Sequence, residues 1–340
     1  MKLSICIPTY NRSKHLRNCL ESIVSNRLQK DIEFQVCISN NCSTDETEEL
    51  VQSFAGKLSI KYQKNESNLG VARNVLKVVD MADAEFVWLI GDDDLLIPDA
   101  IQKLLELIHK YPKVEYFYIN SFHLTTEYVH SYPQPFDTAN LPKEMIPFST
   151  WKKSGEIPFL DLIDPRISFD FLGGMFLAVF KKENWMHSLY LLNKDALLDN
   201  RTFSYFDNTF VHVKVFANAY AKSLAYFSET PLSVCLTGAR EWAPMYSMVR
   251  SVRLLEALEE YKKNGLSFFQ YIKCRNFALS YFLPDLVYMY IHRKKSGWEY
   301  VSPIRLILVN CLYPNTYLSI FYFLFRKLNQ LIKKLTSKNL

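Results

Sequence analysis

The chain has 340 residues, of which 49% are hydrophobic, 15% aromatic and 22% charged. This globular balance leaves ample apolar material for one large domain, or for an α/β domain with a helical extension. Its formal net charge is +5, yet residues 250–340 carry 15 Lys and Arg against 5 Asp and Glu, while residues 1–249 carry 25 against 30.

The basic end points to an anionic partner, a membrane surface or a nucleic acid. The seven cysteines, Cys6, Cys19, Cys37, Cys42, Cys235, Cys274 and Cys311, form no C-x-x-C pair. That argues against a disulfide framework or a zinc site and for a reducing compartment. Lys2 precedes only a five-residue strand-like run ending at Pro8, which does not read as a signal peptide. No uninterrupted apolar stretch reaches the roughly 18–20 residues of a spanning helix.

In chain order, residues 3–7 read as a buried strand, and Leu16, Cys19, Leu20, Ile23 and Val24 mark a helix face. Residues 34–38 form a second strand, and Ser43 with Glu46 makes a capping-box pattern for the next helix. Residues 58–62 form a third strand, and Leu69, Ala72, Leu76 and Val79 mark another helix. A fourth strand, residues 86–90, ends abruptly in Gly91-Asp92-Asp93-Asp94. Pro98 suits the first turn of a helix carrying Ile101, Leu104, Leu105 and Ile108, and residues 115–119 form a fifth strand. Residues 130–170 read as irregular. Strand follows the Gly173-Gly174 pair, residues 203–236 read as helix then strand, and helices dominate from about residue 245.

The alternation predicts a mostly parallel, doubly wound α/β sheet, whose ligands bind beyond the carboxyl ends of the strands. The polar clusters fall there: Pro8, Thr9, Tyr10, Asn11 and Arg12; Asn40, Asn41, Ser43 and Asp45; and Asp92, Asp93 and Asp94. Three adjacent carboxylates call for a counterion, and Mg²⁺ or Mn²⁺ would also bridge phosphate oxygens; the alternative is a solvated loop with one helix-capping Asp. Asn40, Asn41 and Ser43 suit either a base and ribose or plain turn chemistry. Arg73, in the helix opened by Asn68 and Gly70, either neutralises a diphosphate or lies on a solvated face. Asp207 reads as a helix cap or a catalytic base, and His212 as structural.

The run from Ser4 to Arg12, then Ser43-Thr44-Asp45, then Asn68 to Asn74, then the acidic cluster, resembles family 2 glycosyltransferases in order and spacing. The style is similar to bacterial surface-polysaccharide (O-antigen and capsule) enzymes, abequosyltransferase-like members among them. The resemblance covers residues 1–120 well and weakens toward residue 236. It implies a GT-A fold, a nucleotide-diphosphate sugar donor and an inverting single displacement. Pro8, Tyr10 and Asn40 would lie against the base, Asp92 at the ribose side, Asp93 or Asp94 on the metal, and Asp207 would be the base toward the acceptor. Three positions depart from the pattern. Asn40 stands where Asp is common, so a donating amide admits uracil, thymine or cytosine. Gly91 stands at the usual first Asp of the D-x-D motif. Phe206 replaces the Glu of the Glu-Asp pair, which brings Asp170 and Asp199 forward as substitute bases.

The expected organisation is therefore a glycosyltransferase domain over 1–240, with a donor half (1–120) and an acceptor half (121–240), followed by a helical, basic extension over 241–340. Near its end, Phe321, Leu324, Phe325, Leu328, Leu331, Ile332 and Leu335 alternate with Arg326, Lys327, Lys333 and Lys334. This is a two-faced basic helix suited to an anionic membrane or to the protein's own core. The membrane reading fits a polyprenyl-linked glycan acceptor and a peripheral position at the cytoplasmic face, with no nucleic-acid partner. The rival readings are a nucleotidyltransferase, disfavoured by the glycine-free loop after the first strand, and a non-catalytic membrane-associated binding module.

Overall fold

The computed structural model describes residues 1–27, 32–238 and 242–336. Strands β1 (Leu3–Thr9), β2 (Gln35–Asn40), β3 (Ile60–Lys64) and β4 (Phe86–Leu89) alternate with helices α1 (Ser13–Arg27), α2 (Thr47–Ser53) and α3 (Val71–Asp80). The strands run parallel in the order β3-β2-β1-β4. β2 and β4 are buried throughout and β1 at all but Pro8, as strands covered on both faces must be. β3 closes the edge with charged Lys61 and Lys64.

The sheet continues through β5 (Leu95–Leu96), β6 (Tyr116–Thr125), β7 (Ile146–Pro147), β8 (Gly155–Pro158), β9 (Ala178–Lys181) and β10 (Leu224–Thr237). Between them lie α4 (Ala100–Lys110), α5 (Thr126–His130), α6 (Lys182–His187), α7 (Lys194–Leu198), α8 (Phe206–Thr209) and α9 (Val211–Ala219). β9 is antiparallel to both β4 and β6, and β10 is parallel to β6. The sheet is thus mixed α/β, with β9 reversed inside an otherwise parallel core.

Some local expectations shift. β6 extends to Thr125 because its second half pairs with residues 233–237 of β10 after a register shift. The Ser43–Glu46 capping box does not form: Ser43 Oγ accepts from the Asn11 N–H, and Asp45 serves Thr47 instead. Pro98 lies outside α4, which follows Asp99 at φ 63°. The irregular stretch 130–170 holds two short strands and the 3₁₀ helices Thr138–Asn140 and Phe159–Leu162, joined by turns.

The helices beyond residue 245 are α10 (Tyr246–Met248), α11 (Leu254–Lys263), α12 (Phe268–Ala278), α13 (Phe282–Ile291), α14 (Pro303–Asn310) and α15 (Pro314–Thr336). One π-helical turn, Val249–Arg253, joins α10 to α11. One continuous core runs from Leu3 to Met289, so α11, α12 and α13 pack into the same interior as the sheet. Asp164 pairs with Lys273, and Gln270 donates to the carbonyls of Leu160 and Ile163, across that junction.

α14 and α15 add no fully buried apolar side chain to this core but dock on α12 and α13, with Arg275 Nε donating to Asn310 Oδ1 and the Leu283 N–H to Ser319 Oγ. No single described helix is long and apolar enough to cross a membrane; α14 and α15 pass by length and composition only as a pair bent by 109°. From Ile320 to Phe325 every α15 side chain is apolar and exposed, so this stretch is apolar all round rather than two-faced. Lys333, Lys334 and Leu335 lie outside the residues whose side chains are described.

Candidate active site

At the carboxyl end of β1 the chain turns through Asn11, a non-glycine residue at φ 52°. Its N–H donates to Ser43 Oγ at 2.8 Å, and its Oδ1 accepts from the Thr44 N–H at 2.8 Å. Asp45 Oδ2 takes the Ser13 N–H at 2.9 Å, covering a donor in the first turn of α1. Burial would raise the Asp45 pKa, but hydrogen bonds from Thr47 and Ser13 hold it below the ordinary value.

Asn40 is fully buried, with Oδ1 on the Ser43 N–H and Nδ2 on Tyr62 Oη, both at 2.8 Å. Asn41 accepts from the Leu69 N–H at 2.8 Å and donates to Asn68 Oδ1 at 2.7 Å, and Asn68 Oδ1 also accepts from the Gly70 N–H. Asn74, buried beneath them, donates to the Ser39 carbonyl and accepts from Ser39 Oγ. The expected turn residues therefore bind one another and fix the loops, while Tyr10, 37% exposed, presents its ring outward. Pro8 is half-buried beside it.

The acidic turn divides three ways. Asp92 is buried, accepting from Thr9 Oγ1 at 2.8 Å and from Arg12 Nη1 at 2.8 Å. The same nitrogen reaches Asp93 Oδ2 at 3.3 Å. Asp94 Oδ2 accepts the Gly91 N–H at 2.7 Å and closes the turn. Burial pushes the Asp92 carboxyl up to about 6 against the opposing pull of Arg12. A Cβ at Gly91 would lie 2.8 Å from Asp93 Oδ1, so any side chain there would have to displace that carboxylate.

Two carboxylate oxygens converging on one cationic nitrogen form a hard-oxygen pair, and Mg²⁺ or Mn²⁺ needs one or two carboxylates when phosphates supply further ligands. The pair fits such an ion in kind. Among the described residues no group of three or more His, Cys, Asp or Glu is arranged to hold a metal unaided.

Arg73 lies in the first turn of α3 with Nε on the Leu69 carbonyl and no carboxylate partner among the described residues. α8 packs against α3 and brings Asp207 to this side of the molecule. Asp207 follows the N-cap position, held by Tyr205, so it is not the cap. It is buried, with both oxygens on Lys214 Nζ at 2.8–2.9 Å and Oδ2 on the Asn193 N–H at 2.7 Å. Asp199 is bound bidentately by Arg201, which pulls its pKa well down.

Asp170, half-buried, accepts from Ser168 Oγ at 2.8 Å and precedes Phe171 and Leu172, both at positive φ (51° and 66°). Strain of this kind persists only where the surroundings over-determine it. Here Tyr261 Oη grips the Phe171 carbonyl, Tyr118 Oη the Ile167 carbonyl and His212 Nε2 the Gly173 carbonyl. Because a carbonyl only accepts, His212 carries its proton on Nε2, and burial lowers its pKa to about 4.

Sequence reasoning missed Lys214, seven residues and thus two helical turns from Asp207. It also missed His15, one turn beyond Arg12, whose Nδ1 is buried without a partner and whose ring lies 5.4 Å from that of His130. Burial, with Arg12 adding repulsion, lowers the His15 pKa.

Residues 4–166 match the family described as glycosyl transferase family 2. The chain is 40% identical over 103 residues, 30% of its length, to Abequosyltransferase RfbV of Salmonella typhimurium, covering 31% of that protein. It is 32% identical over 114 residues, 33% of its length, to the poly(ribitol-phosphate) beta-N-acetylglucosaminyltransferase TarS of Staphylococcus aureus, covering 19% of it. The aligned stretches thus span under a third of either relative. A crystal structure of S. aureus TarS with UDP superposes with a TM-score of 0.52 at 14% identity, over 88% of this chain and 89% of that one. At that identity the match establishes the fold.

Proposed function

From the premise that the chain carries a family 2 glycosyltransferase domain on a GT-A fold, we propose that it transfers a sugar from a nucleotide-diphosphate donor to a glycan acceptor, with inversion. The observation that carries the reading is the convergence of Arg12, Asp92 and Asp93 at the carboxyl ends of β1 and β4, with Tyr10 directly after β1 and Arg73 in the first turn of α3, where the next residue, Asn74, reaches the Thr9 carbonyl. Tyr10 offers a face for the base. Arg73 faces the diphosphate as its charge grows, in a site where fixed donors act more strongly than in water. Asp93, with Asp92, would hold a divalent cation, which when bound supplies positive charge to the departing diphosphate. Asp94 is the weaker holder, because its carboxylate closes the turn on the Gly91 N–H.

The proposed base is Asp207, which takes the acceptor hydroxyl proton after Lys214 gives way. Asp170 is the second reading, favoured by its half-buried carboxyl on an over-determined turn. Asp207→Asn should cost about 10²–10⁴-fold in kcat. Near-normal transfer by Asp207→Asn together with such a loss in Asp170→Asn would move the role to Asp170.

Donor identity is read by thermal shift with UDP, dTDP, GDP and CDP, each with and without Mn²⁺. Metal-dependent stabilisation by one of them, lost in Asp93→Ala, supports the donor site. The absence of any shift would favour a non-catalytic module. Asn40 gives one amide N–H to Tyr62 Oη and has a second one to offer a base, and the CDP arm of the screen tests whether a cytidine donor is accepted. A lipid-linked acceptor, and a position at the cytoplasmic face of a membrane, are supported by the exposed apolar α14–α15 pair and the basic balance of residues 250–340.

A further inference from the structure

The ring of Tyr281 lies between two guanidinium groups. The Arg250 carbon is 3.7 Å and the Arg326 carbon 3.9 Å from the ring centroid. Two such groups that close to one centroid cannot share a face without overlapping, so they stack on opposite faces.

Their charges are not balanced. Arg250 is bound bidentately by the buried Asp285, which also accepts from Ser247 and Ser251. Arg326 has no carboxylate partner among the described residues, and its Nη2 is buried without an acceptor. A buried donor left unpaired costs free energy, more when it is charged, and an anion would remove that cost. A planar guanidinium suits phosphate oxygens in particular.

The surroundings name the source of the anion. Arg326 sits in α15 among the exposed apolar residues Phe321, Leu324, Phe325 and Leu328. A free phosphate has no use for that surface, whereas a lipid brings apolar chains and a phosphate together. The stack also adjoins the acceptor side. Arg253, one turn after Arg250, donates to the carbonyls of Phe203 and Ser204, just before Asp207.

We propose that Arg326, stacked on Tyr281 opposite Arg250, binds the phosphate of a lipid whose chains lie along the apolar α14–α15 surface. The inference rests on the acceptor reading above for its choice of a lipid, and it names the residue that recognises the lipid's phosphate.

The test is co-sedimentation of the full chain with phosphatidylcholine vesicles, with and without phosphatidic acid. Arg326→Gln should lose more than about tenfold in phosphatidic-acid-dependent binding, as expected for a lost charge-assisted hydrogen bond. Lys327→Gln removes the same charge from the next residue and should lose about fivefold at most, the weight of one surface cation. Equal losses in the two variants overturn the proposal in favour of diffuse attraction.

A second measurement needs no variant. Short-chain phosphatidic acid should displace the unmodified protein from vesicles at lower concentration than inorganic phosphate or diphosphate; equal potency overturns the lipid assignment. Nucleotide thermal shifts are measured on the same samples. Arg326→Gln that keeps its nucleotide response and its vesicle binding refutes this site alone, whereas a wild-type protein without any nucleotide response refutes the donor reading.

Discussion

The loops at the carboxyl ends of β1, β2 and β4 differ in construction from the segment spanning residues 164–212. The first are held by neighbours in the motifs themselves: Asn11 to Ser43, Asn40 to Ser43, Asn41 to Asn68. The second is held from outside, by Tyr118 of β6, Tyr261 of α11 and Arg253 of the π-turn. Short polar side chains at strand ends write the donor side into contiguous sequence. The side carrying Asp170 and Asp207 depends on helices about 50–90 residues further along, which fits the distances in sequence of 50 and 90 for the Arg253 and Tyr261 bonds.

The sharpest way to break this contrast is Arg253→Met. Arg253 is 4% exposed, and its Nη2 donates to the Phe203 and Ser204 carbonyls. Losing it strands both carbonyls and frees Glu256, at a cost of about 3 kcal/mol. Urea unfolding should show that loss, and transfer should fall while metal-dependent nucleotide binding persists. Loss of both together would show that the two regions are not separable.

An acid titration acts on the same segment. Burial lowers the folded-state pKa of His212 from 6.5 to about 4, so between these values the unfolded chain binds a proton that the native one does not. The stabilisation is present above pH 6.5 and lost as pH falls toward 4, by roughly 3 kcal/mol in all. His212→Gln can still donate to the Gly173 carbonyl and does not titrate. Its stability should match wild type near pH 7 and exceed it near pH 4.5; parallel curves would show that His212 does not set the acid sensitivity of the fold.

The contrast also explains what was legible. The strands and helices to residue 110 followed from apolar periodicity, because each buries a local pattern in a parallel sheet. The positions of the site motifs followed because they end those strands. Less visible was what the polar residues do to each other: Asn40 turned inward to Tyr62, and Asp94 toward the Gly91 N–H. Their side chains suit a ligand and a turn equally, and only geometry separates the two. The reversed β9 carried no sequence signal of direction, since an apolar run of four residues reads the same either way. Lys214 was legible in principle, two helical turns from Asp207, but an Asp at a helix start draws attention to capping first.

On the donor side, Gly91→Ala tests whether the turn tolerates any side chain. The new Cβ would meet Asp93 Oδ1 at 2.8 Å and Asp94 Oδ2 at 3.1 Å. Asp93 is already drawn toward Arg12, so the turn has little slack. We expect destabilisation of about 2 kcal/mol, typical of overpacking, and weaker metal-dependent nucleotide binding. An unchanged thermal midpoint with intact nucleotide binding would show that the Asp93 carboxylate moves aside at no cost.

The smallest effect belongs to Thr9→Val, which keeps the side-chain shape and deletes one donor. Thr9 Oγ1 gives Asp92 a 2.8 Å hydrogen bond in a buried site whose carboxyl already titrates at about 6. Without that donor the ionised form keeps the Arg12 hydrogen bond but loses the Thr9 one, so the Asp92 pKa rises further. At pH 7.5 the variant should lose about 1 kcal/mol of stability, because the ionised carboxylate is less well solvated there. At pH 5, where Asp92 is largely protonated in the fold, the difference should shrink. Thr9→Ser, which restores the hydroxyl, should recover most of the pH 7.5 loss. A Thr9→Val penalty that is the same at both pH values, or that serine does not relieve, would assign the cost to packing around β1 rather than to the Asp92 charge.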